Sequence, residues 1–100
     1  MKPVANAARG DVIALLAGAP RRLCLTLGAL AELETAFEVE GWEPLAARLR
    51  ALSPNDLLTV LAALLRGGGE IDTVETLPNL PVTAAEAAAA VASAFRAAGQ

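Results

Sequence analysis
The chain offers few side chains that could do chemistry. It has no histidine, which removes the commonest general base, the commonest metal ligand and every triad built on imidazole. Its single cysteine, Cys24, stands between Leu23 and Leu25 on an apolar run with no basic residue at a spacing that would activate it. That setting describes a buried structural thiol rather than a nucleophile. Glu32, Glu34, Glu38, Glu40 and Glu43 form a loose acidic cluster. It could bind a cation or a basic segment of a partner. Five carboxylates over twelve positions do not match the alternating loop of a calcium hand, however, and a solvated helix face with its trailing loop accounts for them more simply.

Gly67-Gly68-Gly69 invites a phosphate-loop reading, but the run lacks a Gly-Lys-Ser/Thr ending and no strand precedes it. A helix stop followed by a flexible link is expected there. Arg21 and Arg22 could grip a phosphate or a carboxylate; as paired charges on a hairpin shoulder they more simply serve solubility and edge protection. No two polar groups close in sequence suggest a converging pocket. Neither a catalytic residue, a cofactor-binding residue nor a metal ligand is assigned.

Composition points to architecture instead. One hundred residues make one domain at most. Hydrophobic residues are 55% of the chain, yet the aromatics are only two Phe and one Trp, so the apolar content is mostly Ala and Leu, the strongest helix formers. A core built on Leu with Phe37, Trp42 and Phe95 is expected, with apolar area to spare for a partner. The net charge of −3 argues against a nucleic-acid footprint, which needs clustered Lys and Arg. No apolar run reaches the roughly 18 residues that cross a bilayer. Met1 to Gly10 has no apolar centre and is not a secretory signal. One cysteine makes no internal disulfide, so the cytosol is the default.

The elements that must carry these residues follow from period and punctuation. Residues 1–10 read as a loose N-terminal arm, and 11–100 as a single small domain. Asp11 to Leu16 and Arg21 to Thr26 flank Ala-Gly-Ala-Pro and form a β-hairpin, with Gly18 supplying a positive φ and Pro20 stopping the ladder at its own position. Ile13 and Leu15 are expected to share the buried face with Leu23 and Leu25. The period then changes: Leu27, Leu30, Leu33 and Phe37 mark a helix to about Glu38, capped by Thr26 and terminated at Gly41. A second helix starts near Pro44 with Trp42 stapling its start. Ser53-Pro54-Asn55-Asp56 starts a third, running to about Leu65, and its Leu57, Leu58, Val60, Leu61, Leu64 and Leu65 cover more than one face. Asp72 to Leu77 makes about one helical turn before Pro78 and Pro81. Thr83 and Glu86 form a capping box on the last helix, Ala84 to about Ala98, which presents Ala87, Val91 and Phe95. The fold class is α+β and mainly helical, an N-terminal hairpin followed by about four helices.

The run Arg22-Leu23-Cys24-Leu25-Thr26-Leu27-Gly28-Ala29-Leu30-Ala31-Glu32-Leu33-Glu34 resembles the small tail proteins of gene transfer agents and related tailed phages, of the tail-tube or tail-assembly-chaperone type. The likeness continues through Phe37, Leu45, Leu49, Ser53-Pro54 and the Leu-rich helix closing on Arg66-Gly67-Gly68-Gly69, and covers about Gly10 to Gly69 well. Beyond that only a proline-marked break and an Ala-rich last helix match. The resemblance implies a non-enzymatic role in building a phage-like tail: a chaperone that coats the tape-measure protein, or a structural tube or minor tail subunit. A small enzyme is the third alternative. The implied partners are the tape-measure or tail tube protein, with self-association left open and neither nucleic acid nor membrane involved. The implied location is the bacterial host cytoplasm, or the virion tail for a structural subunit. Excess apolar area on the third and last helices makes Leu57, Leu58, Leu61, Leu65, Val91 and Phe95 the candidate contact residues, although core packing alone would also explain the Leu stripe of the third helix.

Overall fold
The computed structural model describes residues 10–99, so the expected arm lies outside it apart from Gly10. Two strands, β1 (Val12–Leu16) and β2 (Ala19–Leu23), form an antiparallel hairpin. Five helices follow: α1 (Leu27–Phe37), α2 (Trp42–Leu49), α3 (Pro54–Gly67), α4 (Ile71–Thr76) and α5 (Ala84–Ala98), with a 3-10 turn at Leu77–Asn79. The architecture is α+β and mainly helical. The short segment before the prolines is thus a helix of its own, α4, continued by the 3-10 turn.

The hairpin turns on Ala17 and Gly18, both at positive φ (54° and 79°), the geometry that matches strand twist in a two-residue turn. Leu16 and Ala19 close the ladder. Pro20 therefore falls opposite Leu15 at a pair that needs no N–H, and the strand runs through it rather than stopping there. The buried face also differs from expectation. Leu16 is buried and Val12 and Ala14 pack beside it, while Ile13 and Leu15 are exposed. Strand side chains alternate faces, so a one-residue error of phase exchanges the two sets.

The first helix keeps Leu30, Leu33 and Phe37 of its expected stripe at the core and loses only Leu27. Thr26 caps it, its hydroxyl accepting from the Ala29 N–H at 3.0 Å. Ala29 and Leu33 point inward, whereas Leu27 is 83% exposed. The helix ends at Glu38, which takes the left-handed conformation (φ 56°), and Gly41 (φ 88°) caps α2 instead of terminating α1. The N–H of Gly41 donates to Glu34 Oε2 at 2.7 Å, so a side chain of α1 holds the start of α2.

Helix α3 is the hub and touches α1, α5, β2 and α4. Its Val60, Leu61, Ala63, Leu64 and Leu65 are all buried, and each leucine out of water contributes about 2 kcal/mol. The largest fully buried side chains are mostly leucines; Phe37 and Phe95 only flank the core, and Trp42 is largely exposed. Capping boxes at Ser53/Asp56 and Thr83/Glu86 start α3 and α5.

The glycines at the end of α3, Gly67 and Gly68, form a close contact, not a loose link. A β-carbon on Gly67 would overlap the Cys24 carbonyl oxygen, and one on Gly68 the Arg22 carbonyl oxygen. The chain leaving β2 lies directly against the last turn of α3. There the Cys24 N–H donates to the Leu64 carbonyl at 3.0 Å, and the Arg22 N–H to Glu70 Oε2 at 2.8 Å. Overpacking at such a point costs about 1–3 kcal/mol. Gly68→Ala should therefore lower the urea midpoint clearly. Gly28→Ala, where a β-carbon meets only Thr26 Oγ1 at 3.7 Å, should stabilise α1 by about 0.5 kcal/mol. Equal midpoints for the two variants would refute the close-packing account.

Candidate functional site
Helices α2 and α5 flank a cleft of about 510 Å³. From α2 come Trp42, Ala46 and Leu49, at the spacing of one helix face, and from α5 come Ala88, Val91, Ala92 and Phe95. Leu52 and Leu57 complete its lining, and among the described residues Arg50 is the one ionisable side chain that lines it. Small residues leave the space between the walls unfilled: Ala46, Ala88 and Ala92 do not occupy what larger side chains would fill. Trp42 is 56% exposed and leans on Phe95, ring centroids 6.1 Å apart at 35°. An apolar trough between two helices, with an aromatic pair at its side, offers burial without chemistry.

The position of α2 rests on Arg48. Its guanidinium lies 4.8 Å over the Phe37 ring, donates to the Ala51 carbonyl at 3.0 Å and pairs with Asp56 at 2.8 Å. One side chain thus joins the end of α1, the end of α2 and the first turn of α3. Asp56 also accepts the Ser53 backbone N–H at 2.9 Å. That bond first, and Arg48 next, hold the Asp56 carboxyl below the usual aspartate range. Across the molecule, Arg66 donates through Nε to Glu32 Oε1 at 2.9 Å, which raises the guanidinium's pKa and ties α1 to α3.

A second, smaller cleft of about 250 Å³ lies between α3, the 3-10 turn and the start of α5, lined by Pro54, Leu57, Leu58, Leu61, Leu77, Leu80 and Val82 among others. Of the six contact residues read from the sequence, five line these clefts and Leu65 lines neither. Val91 and Phe95 line the α2–α5 cleft, Leu58 and Leu61 the smaller one, and Leu57 both. Leu61 and Leu65 are buried in the core at 1% and 0% exposure, because α3 is surrounded on most sides and spends its stripe inside. Trp42, Leu49, Leu52, Ala88 and Ala92 also line the larger cleft, although the sequence marks Trp42 as a core and staple residue and none of the five as a contact residue. The spacing of Trp42, Leu45 and Leu49 was the available signal, but it reads as core as readily as cleft.

The remaining chemical candidates have structural tasks. Cys24 is buried. Glu32 pairs with Arg66, and Glu34 accepts from Gly41. Arg21 donates to Thr73 Oγ1 at 3.1 Å. Among the described residues no group of His, Cys, Asp or Glu is placed to hold a metal ion, and no helix is long and apolar enough to cross a membrane.

The family described as "Phage tail tube protein, GTA-gp10" matches residues 9–99, and the chain belongs to it. No curated protein and no solved structure matches significantly. It is a phage or gene-transfer-agent tail protein, of a family that is structural rather than enzymatic, whose partners are other tail proteins.

Asp56 has a lower pKa folded than unfolded, so its contribution is complete above the unfolded value of about 4 and fades as pH falls through the folded one. The gap in urea midpoint between wild type and Asp56→Asn should be wide near pH 7 and narrow as the pH falls below the unfolded value and through the lower folded one. A gap independent of pH would show that the ionised Asp56 carboxylate, with its Ser53 and Arg48 partners, does not stabilise the fold.

Proposed function
We propose that this phage tail protein works as a tail assembly chaperone, holding an amphipathic helix of the tape-measure protein until tube subunits close round it. The α2–α5 cleft carries this reading. An apolar trough between two helices suits the apolar face of a third, which enters as anchors spaced i, i+3 or i+4, and i+7. Leu57, Val91 and Phe95 contact that helix together with Trp42, and Leu58 extends the contact toward the smaller cleft. The exposed Arg50 at the rim favours a carboxylate beside the apolar stripe. Such a chaperone works in the cytoplasm of the bacterial host and is absent from finished particles.

The family's own description, a tail tube protein, favours a second reading, in which the chain is a structural tube or minor tail subunit. The two readings part in the particle. A chaperone co-purifies with the tape-measure protein from induced cells and is missing from mature tails. A tube subunit is retained in them and assembles into rings or tubes when pure.

Ala88 and Ala92 are exposed on the cleft wall, so Ala88→Glu combined with Ala92→Lys should leave the circular dichroism of the fold intact and reduce tape-measure recovery by about tenfold or more. Undiminished recovery from this variant would remove the cleft from the interface. Absence of the tape-measure protein from the wild-type pull-down would overturn the chaperone reading itself.

A further inference from the structure
The two edges of the hairpin are treated differently. On β2 the outward backbone N–H groups are used inside the molecule: Arg22 donates to Glu70 and Cys24, just past the strand, to Leu64. The ladder phase that turns Arg22 outward on β2 turns its partner Ile13 outward on β1, and Leu15 with it. Among the described residues no backbone hydrogen bond from another element reaches Ile13 or Leu15. Their side chains are also uncovered, at 38% and 65% exposure. The strand reads Val-Ile-Ala-Leu-Leu, without the Lys, Pro or inward charge that normally guards an open edge. A two-stranded sheet is itself below the size at which sheets become secure.

We infer that β1 pairs with β1 of a second copy, antiparallel about a two-fold axis through Ala14, to make a four-stranded sheet. The occupant follows from the edge itself. With Ala14 opposite Ala14, the outward groups of Ile13 meet those of Leu15 in the other copy, and Leu15 meets Ile13. Two hydrogen-bonded pairs form with every outward group of both residues used. On the solvent face Ile13 then lies across from Leu15, an apolar pair on each side of the axis. On the inner face Val12 lies across from Leu16, continuing the core layer. A chain of net charge −3 repels itself over much of its surface, but no ionisable side chain occurs between Val12 and Leu16. Identical copies meet here without opposing like charges.

The pairing is independent of the α2–α5 cleft and is tested without a partner. Light scattering on the purified full chain should give twice 10.2 kDa at micromolar concentration. Ile13→Lys and Leu15→Lys, both on the exposed face, should each weaken association by about tenfold or more while keeping the helical circular dichroism. Opposed Ala14 positions at a pair without hydrogen bonds are about 4.5 Å apart between Cα atoms, within disulfide reach, so Ala14→Cys should give a covalent dimer under mild oxidation. A monomer at these concentrations would overturn the inference. So would a dimer unaffected by both lysine variants, or one that fails to cross-link through position 14; a strand from another tail protein would then be the edge's occupant.

Discussion
The fold depends on how closely a stretch of extended backbone can approach the end of a helix. The residues leaving β2 press on the last turn of α3 with no side chain between them, because Gly67 and Gly68 have none to interpose. The contact is made of backbone polar groups as well as shape. The Cys24 N–H completes the carbonyl of Leu64, and Glu70, just past the glycines, takes the N–H of Arg22. Groups that would be costly to bury unpaired are thereby satisfied across the hairpin–helix junction. The hairpin, which would be marginal alone, becomes part of the core through this seam. Thr26, two residues on, can then start α1, which packs against α3.

With α3 enclosed by α1, α5 and the hairpin, little of its leucine stripe remains outside. The apolar surface left over lies instead where α2 stands away from α5. Arg48 of α2 sets that stance through contacts with Phe37 of α1, Asp56 of α3 and the Ala51 carbonyl just past its own helix. Alanines on both walls of the cleft keep it open. The composition that makes this a helical protein thus also leaves a trough in its surface, since alanine favours the helix but fills little of the space beside it.

Signals confined to a few neighbouring residues were legible in the sequence. The Gly18 turn, the Thr26 cap, the Ser53-Pro54 start of α3 and the Thr83/Glu86 box all appear where local chemistry demands them. Phase was less legible. In β1, Leu15 and Leu16 are adjacent and equally apolar, so the sequence offers no reason to send one inward and the other out; the turn at Ala17 and Gly18 decides it. In α1 the small Ala29 is buried while Leu27, at the first helical position, stays outside. The meaning of Gly67 and Gly68 was out of reach, since the carbonyls they accommodate come from more than forty positions earlier. The cleft was hidden for a related reason: Trp42 and Phe95 meet only after α2 and α5 have been placed.

Trp42 is the chain's single tryptophan and stands half in water beside Phe95 at the mouth of the cleft. The indole therefore serves as a built-in optical gauge. Its ultraviolet emission senses solvent at this one place, with no second indole to blur the signal. Anything that settles into the trough displaces water from the ring, moves the emission to shorter wavelength and shields it from soluble quenchers. Occupancy can be followed in real time on the unlabelled, unaltered chain.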